Sequence, residues 1–358
     1  MNTLYLVLEN GKIFKGEGFG KIGETVGELV FTTAMTGYNE TITDPSYFGQ
    51  IITQTFPLIG NYGTISEDFE SRKPFLRGYI AKNICDTPSN FRCGGTLSEY
   101  LKQNNVVGLS GIDTRELTRI LRESGTMNGK ITDNISDVDK IIKELKEYSV
   151  KDAVKSVSSG ETETYHAENP KKKVVLWDFG VKLNMVRELL KRGCDVTVVP
   201  YNTKAEEIQK LSPDGILLSN GPGDPKENTE IIAEIKKIIK QKIPTFGICL
   251  GHQLLALANG AHTEKLKYGH RGANHPAKDL DTKRVYITSQ NHGYAVIKES
   301  LPENARCNFI NLNDNSCEGI VYSDMPAFSV QFHPEACGGP QDSNFLFDKF
   351  ISLMEGVK

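Results

Sequence analysis

Ile243-Pro-Thr-Phe-Gly-Ile-Cys-Leu-Gly-His-Gln253 joins a β-branched and aromatic segment to apolar Leu254, Leu255, Leu257 and Ala258 at helical spacing. It reads as a strand, a sharp corner and a helix, with Cys249 at the corner between Gly247 and Gly251. Glycines on both sides let the backbone bend tightly and let other segments approach closely. This is the nucleophile-elbow arrangement with a thiol in place of the hydroxyl. A helix N-terminus carries about half a positive charge, which favours a thiolate placed there. The turn is expected both to expose and to activate the sulfur. Taken alone, the same residues also suit a buried core cysteine packed as a small hydrophobe.

A partner for the sulfur lies further on. Ala327-Phe-Ser-Val-Gln-Phe-His-Pro-Glu335 reads as another strand, with Phe328, Val330 and Phe332 alternating against Ser329, Gln331 and His333. Pro334 cannot continue a central ladder, so the strand is expected to end there with His333 at its tip. If the extended path persists, the period of two puts His333 and Glu335 on one side. A carboxylate beside an imidazole fixes its tautomer and stabilises the imidazolium, the task of a triad's third member. A lone histidine at a strand end is ordinarily a satisfied polar residue. Cys249 upstream and Glu335 two residues away turn the reading toward catalysis.

Around these motifs strands and helices alternate. Val174–Asp178, Val196–Val199 and Gly215–Leu218 read as strands. Leu183, Val186 and Leu190 mark one helix, and Ile231, Ile232, Ile235, Ile238 and Ile239 another. Thr203 with Glu206 forms a capping-box signature for a helix through Leu211. Such repetition implies a parallel sheet with right-handed crossovers, whose ligands bind at the carboxyl ends of the strands. Gly221-Pro-Gly223, Cys249 and Asn291-His-Gly293 all follow strands, so one cleft is expected to gather them.

Residues 1–150 look different. Leu4–Leu8, Ile51–Phe56 and Gly78–Ile84 are strand-like, and Asp113 can cap a helix with Leu117, Ile120 and Leu121 on its apolar face. This half reads as a smaller mixed β/β/α domain. Residues 151–172 are polar and poor in apolar periodicity and read as a linker. Residues 173–358 form the parallel-sheet α/β domain.

With 38% hydrophobic and 24% charged residues, the chain has the composition of a soluble globular protein. A net charge of −3 gives no electrostatic reason to expect nucleic acid or an anionic membrane as partner. No apolar stretch has the length of a membrane span, and the N-terminus lacks the basic flank of a secretory signal. The seven cysteines are scattered without Cys-x-x-Cys spacing, which suggests neither zinc nor a disulfide framework and suits a reducing cytoplasm. His252 reads as structural and His292 as a loop-ordering residue. His270 and His275 have no carboxylate or thiol at ligand spacing, so no metal site is expected.

The C-terminal half resembles the class I glutamine amidotransferases, through Asn220-Gly-Pro-Gly-Asp224, Gly247-Ile-Cys-Leu-Gly-His-Gln253 and Phe332-His-Pro-Glu335. The N-terminal half narrows this. Met35-Thr-Gly-Tyr38, Thr43-Asp-Pro-Ser-Tyr47, Ile59-Gly-Asn-Tyr-Gly63 and Gly111-Ile-Asp-Thr-Arg115 look like the carbamoyl phosphate synthetase small-subunit family. So do Tyr268-Gly-His-Arg-Gly-Ala-Asn-His-Pro276 and Ser289-Gln-Asn-His-Gly-Tyr294. The resemblance covers essentially the whole chain and implies a flavodoxin-like amidotransferase domain at 173–358.

By resemblance, Cys249 is the nucleophile, His333 the base and Glu335 its orienting acid. Glutamine is expected to contact Ser46, Gly221, Gly223, Leu250, Gln253, Asn291, Gly293 and Tyr294, with Lys182 a weaker candidate for its carboxylate. Tyr294 stands where the family often has phenylalanine, and Cys337-Gly338 where serine and proline are frequent. The resemblance also implies a large-subunit partner using ATP, Mg and bicarbonate, arginine and pyrimidine biosynthesis as destinations, and no cofactor in this chain. Indeed no Walker-type phosphate loop occurs here. The triad residues alone also suit a stand-alone γ-glutamyl cysteine hydrolase, and the domain alone a silent docking subunit.

Overall fold

The computed structural model describes residues 2–356. Two compact units meet in sequence between Ala153 and Val154.

The first unit contains β1 (Thr3–Leu8), β2 (Ile13–Gly20), β3 (Thr25–Thr32), α1 (Tyr38–Thr43), β4 (Gln50–Gln54), β5 (Leu58–Ile59), β6 (Gly78–Ile80) and β7 (Asn83–Ile84). It continues with α2 (Leu97–Gln103), β8 (Val107–Ser110), α3 (Thr114–Ser124), β9 (Met127–Thr132) and α4 (Val138–Glu147). Seven strands close a barrel in the order β1-β2-β8-β6-β4-β3-β9. Leu4, Leu6, Leu29, Ile51, Ile80, Leu109 and Ile131 form a fully buried core cluster, as inward-facing barrel residues must. The run Gly78–Ile84 is two strands rather than one, since β6 joins the barrel while β7 pairs with β5. Asp113 caps α3 as expected, accepting from the Glu116 N–H at 2.9 Å.

The helix α5 (Ala153–Val157), which begins at the boundary, and β10 (Glu163–Tyr165) of the second unit occupy the stretch expected as a linker. Val154 and Val157 are buried and β10 pairs antiparallel along a sheet edge. So few apolar anchors left little periodicity to read. There follow β11 (Lys172–Asp178), α6 (Leu183–Lys191), β12 (Cys194–Pro200), α7 (Ala205–Lys210), β13 (Gly215–Leu218), α8 (Thr229–Lys240), β14 (Thr245–Ile248) and α9 (Leu250–Ala258). Then come β15 (Thr263–Asp279), β16 (Val285–Val296), β17 (Ala305–Asn311), β18 (Cys317–Tyr322), β19 (Ala327–Val330) and α10 (Phe345–Met354). One sheet runs β10-β12-β11-β13-β14-β19-β18-β16-β15-β17.

The central strands β12, β11, β13, β14 and β19 are parallel, as the alternation implied; β15 to β18 extend the sheet antiparallel. Along β11 the two faces separate cleanly. Val175 and Trp177 enter the core cluster that holds residues of α8 and α9, while Val174 and Leu176 enter the one containing residues of α6 and α10. Both faces of β14 are therefore covered, which places its C-terminal corner at the centre of the sheet's edge. The α7 cap lies one residue later than expected. Glu207, not Glu206, reaches back to the Lys204 N–H at 3.0 Å, while Glu206 turns outward to Lys237.

Candidate active site

At the end of β14, Cys249 adopts φ 54° and ψ −103°, a left-handed conformation that a residue with a Cβ reaches only at a cost of about 1–3 kcal/mol. The corner is tight enough to dictate its neighbours. A Cβ on Gly251 would lie 2.2 Å from the Leu218 carbonyl oxygen, and one on Gly247 2.9 Å from that of Gly251. Both glycines are needed for α9 to start directly against β13. Cys249 is 2% exposed, and its thiol donates to the Asn291 carbonyl at 3.6 Å.

His333 lies beyond β19, which ends at Val330, earlier than expected. Its N–H donates to the Ser289 carbonyl at 2.9 Å, so the neighbouring β16 segment, not the β19 ladder, holds the histidine. His333 Nδ1 and Glu335 Oε1 are 2.7 Å apart, and both residues are buried. The same Oε1 lies 2.6 Å from Lys182 Nζ. Burial raises the Glu335 pKa, but the Lys182 and His333 charges outweigh it and hold the carboxyl well below its usual range. For His333, burial and Lys182 both disfavour charge; Glu335 and Cys249 outweigh them and raise the ring well above an ordinary histidine. These contacts favour the protonated form of the ring, which lies between a carboxylate and a sulfur.

Lys182 is therefore engaged by Glu335 rather than standing open as a carboxylate receptor. The loop that delivers it is tied at several points. Asp178 Oδ1 accepts the N–H groups of Gly180 and Val181 at 2.9 and 2.8 Å, and Asn220 Oδ1 accepts that of Lys182 at 3.2 Å. Asn184 donates through Nδ2 to the Glu335 carbonyl. The sequence pattern offered no signal for the Lys182–Glu335 pair, because its partners lie on segments far apart in the chain.

The other expected residues fall as follows. Gly221 packs where a Cβ would be 2.2 Å from the Phe179 carbonyl oxygen, and Gly223 is exposed at φ 89°. Leu250 opens α9 and is buried. Gln253, one turn on, donates to the Tyr294 carbonyl at 2.8 Å and to Gln331 Oε1 at 2.9 Å, tying α9 to the Asn291–Tyr294 segment. Asn291, Gly293 and Tyr294 lie on β16. Ser46 belongs to the barrel unit, in a 3₁₀ turn where Asp44 accepts its N–H at 2.9 Å.

His292 packs with Nδ1 2.7 Å from the Tyr294 carbonyl and Nε2 2.6 Å from Gln290 Oε1, so it braces this segment. Burial keeps it neutral, helped by the His270 charge. His252 is fully buried with Nδ1 2.8 Å from Ser329 Oγ. Near His270 the structure supplies carboxylates that spacing did not reveal. Asp314 lies 2.8 Å from Nε2, and Glu318 lies 3.5 Å from Nδ1. Burial disfavours its charge, but these two acids raise its pKa to about 9. Ligand-type atoms of His270, His292 and Glu318 come within 4.8 Å of one another, in a site where His270 serves as the cation of an ion-pair network.

Residues 175–353 match the family described as glutamine amidotransferase class-I, and residues 6–131 match the carbamoyl-phosphate synthase small chain, CPSase domain. A carbamoyl phosphate synthase small chain of Clostridium perfringens is 54% identical over 97% of this chain and 98% of its own length. The chain belongs to the carbamoyl phosphate synthase small-chain family. A Bacillus cereus small chain is 55% identical over 99% of this chain and 96% of its own. A pyrimidine-specific small chain of Bacillus subtilis is 53% identical over 98% and 95%. Among solved structures, a glutamine amidotransferase from Thermotoga maritima aligns with 54% of this chain and 87% of its own, at a TM-score of 0.39 and 20% identity. The chain is thus a glutamine-hydrolysing subunit built from a small-chain domain and a class I amidotransferase domain.

Proposed function

We propose that Cys249, His333 and Glu335 release ammonia from glutamine for an ATP-dependent large subunit, which makes carbamoyl phosphate from bicarbonate. The observation that carries this is the buried His333–Glu335 pair at 2.7 Å beside a cysteine held in a strained elbow. The Cys249 thiolate, its proton carried by His333, attacks the side-chain carboxamide carbon, and the carbonyl π electrons move to oxygen. The backbone N–H groups of Leu250 and Gly223 receive that oxyanion, contacts worth roughly 10²–10³ in rate each. Collapse expels ammonia, protonated by the His333 imidazolium, and leaves a γ-glutamyl thioester. Neutral His333 then takes a proton from water, which attacks the thioester; collapse expels the Cys249 thiolate, glutamate leaves, and the thiolate–imidazolium pair is restored.

Within the amidotransferase unit, glutamine lies among Gly221, Gly223, Leu250, Gln253, Asn291, Gly293 and Tyr294. ATP and Mg belong to the large subunit, this chain carrying no cofactor of its own, and the two chains act as a heterodimer in the cytoplasm. The product serves arginine and pyrimidine biosynthesis. The match of residues 6–131 to the small-chain domain favours this over a stand-alone γ-glutamyl hydrolase.

The test is glutamate release by the purified chain, with and without a large subunit, ATP and bicarbonate. Release that rises with the partner, with carbamoyl phosphate appearing, supports the coupled reading. Cys249→Ser is expected to abolish glutamine-dependent synthesis and to spare synthesis from added ammonia. Rapid release indifferent to the partner, or loss of both activities in the variant, contradicts it.

A further inference from the structure

Two imidazoles and a carboxylate converge in the antiparallel part of the sheet. His270 of β15 and His292 of β16 stand directly opposite each other in the strand register, and Glu318 comes from β18 on the other side of β16. The three residues are 7%, 5% and 0% exposed, and one ligand-type atom from each lies within 4.8 Å of the others. We propose that His270, His292 and Glu318 form a binding site for a divalent transition metal of the zinc class.

The surrounding hydrogen bonds leave suitable atoms facing the site. Asp314 lies 2.8 Å from His270 Nε2, and a carboxylate there can only accept, so Nε2 carries a proton. That turns Nδ1 to Glu318, whose Oε1 is 3.5 Å away; Asn311 Nδ2, a donor, lies 3.5 Å from the same nitrogen. His292 is fixed likewise. The Tyr294 carbonyl, 2.7 Å from Nδ1, can only accept, which leaves Nε2 as the ligand nitrogen. Gln290 Oε1 lies 2.6 Å from that nitrogen and can supply a fourth donor. Histidine ligands are ordinarily supported in this way, one ring nitrogen tied to a carboxylate or carbonyl while the other meets the metal. Ligating carboxylates are hydrogen-bonded in turn, and Glu318 Oε1 accepts from Asn311 Nδ2 at 2.8 Å. Its other oxygen, Oε2, is buried with no hydrogen-bond partner among the described residues. A buried carboxylate oxygen left so is costly, and a cation beside it removes the cost.

The spacing suits one small ion. Zinc lies about 2.0–2.1 Å from an imidazole nitrogen, so two imidazoles on a tetrahedral zinc have ring centres roughly 5 Å apart. Those of His270 and His292 are 4.9 Å apart. Ligand atoms of a tetrahedral site are roughly 3.3 Å from one another, so binding draws the three side chains inward. Two nitrogens with one carboxylate oxygen favour zinc, cobalt or nickel over magnesium and calcium, which take oxygen ligands. In the metal-free protein a proton on His270, facing its two acids, fills the place of the ion. Bound there, the ion ties β15, β16 and β18 together next to Asn291, whose carbonyl accepts from the Cys249 thiol. It braces that strand and takes no part in the chemistry.

The test titrates cobalt(II), a spectroscopic substitute for zinc, into the whole small chain. Wild type and Cys249→Ser are compared, the variant removing the nucleophile as a competing ligand. One equivalent is expected to give the intense visible bands of a tetrahedral site in both proteins, and added zinc to bleach them. Glu318→Gln is expected to weaken binding by more than about 100-fold. Asp314→Asn keeps all three ligands and is expected to weaken it by roughly 10–100-fold, so the test survives a Glu318 variant that fails to fold. Bands lost in C249S but kept in E318Q would put the metal on the nucleophile and overturn the assignment. So would a wild-type protein without visible bands in a large excess of cobalt, or an unchanged affinity in both E318Q and D314N. None of these readouts depends on glutamine hydrolysis.

Discussion

Replacing Lys182 by methionine removes one member of a buried ion pair while keeping most of the side-chain volume. Lys182 Nζ and Glu335 Oε1 are 2.6 Å apart, with side chains 8% and 0% exposed. Taking one partner from such a pair costs about 3–5 kcal/mol, because the other charge stays buried. His333 still faces the same oxygen, so the lower end, about 3 kcal/mol, is expected. For a domain of roughly 150–250 residues each kcal/mol moves Tm by about 2–4 °C, giving a fall of about 6–12 °C. The chemistry shifts as well. Lys182 opposes charge on His333, so its loss moves the His333 pKa further up, and the basic limb of the pH–rate profile is expected at higher pH. kcat falls by roughly tenfold or more as Glu335 loses its second anchor. Calorimetry and glutaminase profiles of Lys182→Met test both effects. A Tm within about 2 °C of wild type, less than 1 kcal/mol on the same scale, together with a raised KM and unchanged kcat would refute the argument and return Lys182 to the substrate carboxylate.

Other outcomes follow from the same contacts. Glu335→Gln removes the charge that fixes the His333 tautomer, and kcat is expected to fall by roughly 10²–10⁴, read by glutamate release at saturating glutamine. His270 has its pKa raised from 6.5 to about 9, so its ion pairs stabilise fully below pH 6.5 and are lost as pH rises through 9. The midpoint difference between wild type and Asp314→Asn in urea unfolding is therefore expected to be larger near pH ~6 than near pH ~9.5; equal differences would contradict the ion-pair assignment. Gly251→Ala places a methyl 2.2 Å from the Leu218 carbonyl oxygen, so soluble yield and Tm are expected to drop severely, and a Tm near wild type would show the elbow to be looser than described.

Much of the amidotransferase unit was legible because its signals are local. The Ile243–Gln253 run announced its strand, corner and helix, and the glycines flanking Cys249 meet close backbone atoms as such a turn requires. The apolar runs of β11, β13 and β14 marked central strands, since a strand buried on both faces leaves no polar alternation. What stayed hidden depends on pairing across sequence. Barrel closure rests on β1 meeting β9, far along the chain, and no periodicity encodes that partnership. The carboxylates around His270 arrive from the β17–β18 turn and from β18, so ligand spacing read along β15 missed them.

Lys182 illustrates the same limit at the level of chemistry. Sequence placed a lysine after β11 and left open what it holds; only the fold brings it to Glu335. Held there, Lys182 opposes charge on His333 while it anchors the carboxylate that supports that charge. A Lys182 variant is therefore expected to change kcat and its pH dependence rather than KM alone, and measuring both parameters across pH separates a triad role from a substrate contact.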